Sequence, residues 1–111
     1  LRYFAFSISQ LGINIANIPN NYDLSQNYPN PFNPSTKISY QLGRGEFVKF
    51  SIFDLNGNLI KNILNKKVNT GRGHVYWDGK NELGQNVSGG IYLYTIETPS
   101  FLKTKKMVLL K

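Results

Sequence analysis

The chain has one histidine and no cysteine among its 111 residues. His74 therefore has no thiol to activate. Set between Gly73 and Val75 at the start of an alternating run, it reads as an ordinary exposed residue rather than a general base. The serines stand in turns or strands, outside any G-x-S-x-G elbow. Gly43-Arg44-Gly45 and Gly71-Arg72-Gly73 each stop short of a G-x-G-x-x-G phosphate loop, lacking its last glycine. Two loops offer oxygens of the kind calcium takes, Asp54 with Asn56 and Asn58, and Asp78 with Asn81 and Glu82. Neither has the spacing or acid density of an EF-hand, and Asx turns account for both. The expectation is a protein that is not an enzyme, with no catalytic residue, metal or cofactor.

Charge is the next chemical signal. Thirteen Lys and Arg against six acids give a net charge of +7, a balance that suits anionic partners or simply a well-solvated surface. Lys61, Lys66, Lys67 and Arg72 form one basic group, and Lys103, Lys105 and Lys106 another. Nucleic-acid binding would need aromatics interleaved on the same exposed face. Here the pattern assigns the aromatics to strands and core, so nucleic acid is not expected. A solvated basic face is the plain reading, with an anionic surface glycan as its functional variant.

The elements that position these residues are strands. Apolar residues alternate with period two at Ile38, Tyr40 and Leu42, again at Val48, Phe50 and Ile52, and again at Val75 and Trp77. Residues 91–98 and 106–110 are rich in β-branched, aromatic and aliphatic residues. Residues 59–68 carry a mixed pattern that also fits a helix, but their short length and turn flanks favour a strand. Turn signals separate the runs: Gly43 and Gly45, Asn56-Gly57-Asn58, Gly71 and Gly73, Asp78-Gly79, Gly84 and Gly89-Gly90. Six or seven short strands so spaced describe an antiparallel β-sandwich with Trp77, Phe50, Ile52 and Tyr40 in its core.

Residues 28–36 read YPNPFNPST. Pro29, Pro31 and Pro34 each remove a backbone donor and push the preceding residue toward extended geometry. The stretch cannot be a central strand, yet it leads into one at Thr36. It reads as a stiff strap along the edge or bottom of the sandwich, with Tyr28 and Phe32 as its anchors into the core. Prolines at an edge also discourage pairing with other sheets.

Taken together, LSQNYPNPFNPSTKISYQL, FSIFDLNGNLI, HVYWDGKNELGQNVSGGIYLYTI and the terminal TKKMVLLK resemble one family. It is the C-terminal sorting domain of proteins exported by the bacterial type IX secretion system. The WDGKNELGQNVSGGIYLY segment is also similar to the immunoglobulin-like domain of flagellar hook-capping proteins. The resemblance runs from about Leu24 to Lys111. It implies an immunoglobulin-like sandwich of about seven strands, passage through the outer membrane by its secretion machinery, and in many members removal of the domain by a surface sortase. It implies no catalysis. It also makes the terminal Lys105, Lys106, Met107, Val108, Leu109, Leu110 and Lys111 the candidate sorting signal, while the same residues also read as a last strand with Met107 or Val108 in the core. Trp77, Asp78, Gly79 and Gly90 then carry structural roles: a large buried side chain, a turn directly after it, and a sharp re-entry into the next strand.

Residues 1–22 lie before the resemblance and read as an extended strand or linker, with 23–111 as the sandwich. The chain begins at Leu1 rather than Met, as a processed product or fragment would. Ser7, Ser9, Gln10 and Asn14 interrupt the first residues too often for a signal h-region. Phe4, Phe6 and Ile8 alternate, then Leu11, Ile13 and Ile15 alternate in the opposite phase. Such a strand could end a preceding domain, fold back on its own sandwich, or insert into a neighbouring copy. The last outcome, an extracellular homopolymer built by donated strands, is the leading expectation. The alternative is a cleavable sorting and anchoring domain at the end of a larger secreted protein. Both place the chain outside the cytoplasm.

Overall fold

The computed structural model describes residues 22–111, which form seven strands. These are β1 (Asp23–Leu24), β2 (Thr36–Leu42), β3 (Glu46–Phe53), β4 (Leu59–Val68), β5 (Gly71–Trp77), β6 (Gly90–Thr98) and β7 (Phe101–Leu109). No helix occurs among the described residues. The strands make two antiparallel sheets, ordered β1-β2-β5 and β4-β3-β6-β7, which enclose one core as an immunoglobulin-like sandwich.

Period-two alternation explains the layering. In β2, Thr36, Ile38, Tyr40 and Leu42 point inward; in β3, Glu46, Val48, Phe50 and Ile52 do so; in β6, Tyr92, Tyr94 and Ile96. Trp77 ends β5 fully buried, and Phe50 stacks on Tyr94 with centroids 6.2 Å apart. Each fully buried Val, Ile, Leu or Phe among them contributes about 1.5–3 kcal/mol through the apolar surface it removes from water.

β4 is a strand, and its mixed pattern has a structural cause. Its pairing with β3 shifts register between Phe50 and Ser51 and again between Ile52 and Phe53. Each shift inserts an extra residue and breaks the alternation. Asn56-Gly57 closes the β3–β4 hairpin as expected. Gly73, by contrast, lies inside β5, while Gly71 opens that strand with φ +109 directly after Asn69-Thr70, where the chain turns. Gly73 is opposite Tyr40, where an added Cβ would sit 2.5 Å from the phenol oxygen, so the glycine serves close packing rather than a turn. Asp78-Gly79 does not close a hairpin either; it opens the long connection from β5 to β6 in the other sheet.

Phe4, Phe6, Ile8, Leu11, Ile13 and Ile15, on which strand donation rested, lie outside the described residues.

Candidate functional site

The sequence motifs converge on one end of the sandwich. The strap (Tyr28 to Ser35) runs beside β7, and Phe32 inserts fully into the core, its ring 5.7 Å from that of Trp77. Trp77 packs edge-on against Tyr92 at 5.2 Å and donates its indole N–H to the Lys80 carbonyl at 2.9 Å. Gly79 follows with φ +75, and a Cβ there would meet Pro34 O at 3.4 Å and the Leu109 side chain at 3.5 Å. The WDG turn therefore closes over the terminal strand and the strap together. Gly90 opens β6 opposite Leu109, and Gly89 lies against Lys111.

Within the candidate sorting signal, Met107 and Leu109 are core residues, 0% and 2% exposed. Lys106, Leu110 and Lys111 are exposed, and Lys105 and Val108 half-buried. Met107 is thus the core residue of the two proposed from the sequence, and Val108 faces outward.

Tyr28 corrects the sequence reading. It is 79% exposed rather than a core anchor, because its bridge to Lys37 turns the side chain to the outer face of the three-stranded sheet. Of the two aromatics, only Phe32 anchors the strap in the core. Pro29 and Pro31 are exposed, and the peptide bonds before Pro29, Pro31 and Pro34 are cis. The residues that tie the strap down were not singled out from sequence. Asn27, 2% exposed, donates its side-chain amide to Pro29 O at 3.1 Å and to Thr36 Oγ1 at 3.0 Å. Thr36 Oγ1 donates to Pro29 O at 2.8 Å. Tyr94 Oη accepts from Asn27 N at 3.0 Å and donates to Ser25 O at 2.7 Å. Burial pushes the Tyr94 phenol up to about 12, against the Asn27 bond that favours the phenolate. The available signal was polar residues flanking prolines, whose neighbouring carbonyls still need donors.

At the opposite end, Tyr22 Oη and Ser100 Oγ donate to the two carboxylate oxygens of Glu46, and Tyr22 stacks on Phe101 at 5.1 Å. Burial pushes the Glu46 carboxyl up, but these bonds outweigh it and hold it below the usual carboxylate range.

The two oxygen-bearing loops are Asx turns. Asp54 Oδ1 accepts the N–H groups of Asn56 and Asn58, both at 2.9 Å, and Asn81 Oδ1 those of Leu83 and Gln85, both at 3.0 Å. Asp78 Oδ1 accepts from Lys80 N at 3.2 Å. Lys66, Lys67 and Arg72 line a groove of about 400 Å³ between β4 and β5, with His74 and Tyr40. Lys61 lies farther along β4, outside that lining. Not all aromatics belong to the core: Phe47 and Tyr76 are 51% and 62% exposed.

A comparison with family models matches residues 26–110 to the secretion system C-terminal sorting domain. The match takes in the strap, the WDG turn and nearly all of the terminal segment. The chain belongs to this family. It is accordingly an exported chain, delivered to the cell surface or beyond, as the resemblance to type IX sorting domains implied.

Two solved structures of Porphyromonas gingivalis share the fold of this sorting domain. Dimeric latent PorU superposes with a TM-score of 0.63 at 23% identity, over 80% of this chain and 9% of PorU. PorZ, described as an essential surface component of the type-IX secretion system, gives 0.57 at 20% identity, over 86% of this chain and 12% of PorZ. The chain thus spans a small fraction of either protein. A sequence comparison with curated proteins finds no match. Neither the fold nor these relatives point to a homopolymer or a glycan as partner.

Proposed function

We propose that this domain is the non-enzymatic C-terminal sorting and anchoring module of a larger secreted protein, cleavable from its cargo and read by outer-membrane export machinery through Lys105 to Lys111. This replaces strand donation as the leading reading. The observation that carries it is the polarity of the domain. The chain enters beside Tyr22, Glu46 and Ser100, and leaves at Leu110 beside the strap and the WDG turn. β7 separates these ends by nine residues, about 30 Å at the rise of an antiparallel strand. Cargo attached ahead of Tyr22 hangs from one end while the terminal segment is presented at the other. The core requires only the alternate residues of that segment, Met107 and Leu109, which leaves the rest for recognition.

The test attaches a reporter to the N-terminus of the full chain in a bacterium with type IX secretion. Removing Lys105 to Lys111 is expected to strand the reporter in the periplasm. Because that deletion also removes core residues, a second variant, K106E/L110D/K111E, changes only exposed side chains. It is expected to keep its melting temperature within a few degrees and to lose at least half of its export. Normal export of both variants would refute the reading.

A further inference from the structure

β7 ends the four-stranded sheet, so one side of it faces away from β6. An edge strand normally offers the peptide groups of alternate residues to any passing strand. Here four successive groups on that side are already taken. Gln26 Nε2 donates to Lys106 O at 2.8 Å, and Val108 N donates to Asn30 Oδ1 at 3.0 Å. Phe32 N donates to Val108 O at 3.0 Å, and Leu110 N donates to Phe32 O at 2.8 Å. Phe32 and Leu109 make a parallel bridge. All four partners belong to the strap or its approach.

The chemistry of the strap explains the form of these bonds. Pro29, Pro31 and Pro34 have no N–H, and toward β7 the strap pairs through its main chain at Phe32 alone. On the flank toward Lys106, the side chains of Asn30 and Gln26 supply the carbonyl and amide that a peptide would have supplied. A short stretch with little main chain to offer thus imitates one edge of a parallel strand. It covers Lys106 to Leu110, within the segment proposed to be read.

We propose that the outer edge of β7 from Lys106 to Leu110 is a strand-addition surface for the export machinery, and that the strap is its displaceable internal stand-in. The inference rests on the sorting reading above and names how that segment is read. The partner offers an extended segment that pairs in the strap's place, with an apolar side chain where Phe32 now fills the core against Trp77. This division of labour removes a conflict: Met107 and Leu109 keep their side chains in the core, while the outer main-chain edge is read together with the exposed side chains. A closed strap then marks a domain that is not engaged.

Two arms test it on the full chain. Asn33 and Leu110 follow the bridged pair and are both exposed, and the sequence contains no other cysteine, so N33C/L110C can tie the strap to β7. With the reporter attached, the oxidised double variant is expected to accumulate in the periplasm relative to the same double variant kept reduced. Export of the oxidised form at the rate of the reduced form overturns the proposal. If K106E/L110D/K111E is retained but the tied form is exported, only this inference fails; if both are exported, the sorting reading fails first. In the second arm, Q26A/N30A removes both stand-in side chains, which are exposed, without touching Phe32. The Val108 amide, which loses Asn30 Oδ1, should exchange with deuterium about tenfold faster than in the parent, while Leu110, still bonded to Phe32 O, changes less, and Met107 and Leu109, bonded toward β6, stay unchanged. Unchanged exchange at Val108 would show that the strap does not guard that edge, and overturns it as well.

Discussion

The two outer strands of the four-stranded sheet face the same hazard and meet it differently. β4 carries lysines at 61, 66 and 67, pairs with β3 through two register shifts, and has no fully buried residue. Charge and irregularity make it a poor template for another strand. β7 also carries lysines, at 103, 105 and 106, but its C-terminal half is regular, paired residue for residue with β6, and buries Met107 and Leu109. That half is regular enough to be a template, and a separate segment covers it. Had protection been the only need, the means used on β4 would have served both edges. The difference marks the end of β7 as an edge kept fit for pairing.

The largest expected effect breaks the cover at its anchor. Phe32→Ala removes a fully buried ring from beside Trp77, which costs about 3–5 kcal/mol of stability. A domain of this size has roughly 5–15 kcal/mol to lose, so urea denaturation should show a variant near the limit of folding. Leu64→Ala is the matching change on β4. Leu64 is only partly buried, so a loss of about 1–2 kcal/mol is expected. Equal losses would mean that the strap anchors nothing beyond what the irregular edge already supplies.

Next in size is Tyr94→Phe, which keeps the ring and removes the hydroxyl between Ser25 O and Asn27 N. Leaving both groups without their partner costs about 1–3 kcal/mol and loosens the approach to the strap. The same phenol supplies a pH signature. Its folded pKa is raised to about 12 from 10.0, so its contribution is fully present below pH 10 and lost as pH rises through 12. Alkaline denaturation of the parent should show this loss, on the order of 2 kcal/mol, and Tyr94→Phe should lack it. A variant with the parent's alkaline slope would place the titration elsewhere.

Much of this fold was legible in the sequence because its signals are local. Alternation at Ile38, Tyr40 and Leu42 needs no knowledge of distant residues, and neither does the turn at Asn56-Gly57. The strap was legible as an extended, edge-bound segment for the same reason, since proline acts on its own backbone. What it covers was not. The contact between Asn30 and Val108 joins residues 78 positions apart, and no spacing rule announces it. Tyr28 misled because an aromatic beside proline looks the same whether its bridge turns it inward or out. Gly73 misled because glycine marks a turn and a close approach with the same letter, and only Tyr40 across the sheet decides between them. Asn27 and Thr36 were overlooked as polar, though the carbonyls left by prolines require such donors.

The smallest expected effect on stability concerns the uncovered edge. Lys66→Thr with Lys67→Thr keeps strand propensity and removes two exposed charges from β4. Surface changes of this kind shift stability by about 0.5 kcal/mol or less, so the melting curve should barely move. Association should change more. The net charge falls from +7 to +5 on losing two lysines, and the lysines that discourage edge pairing are gone. Light scattering at high protein concentration should then show association that the parent lacks. The same substitutions at Lys105 and Lys106 should produce less of it, because a partner strand there must first displace the strap, Phe32 included. If the two double variants associate equally, the covered and uncovered edges are protected in the same way, and the distinction between them fails.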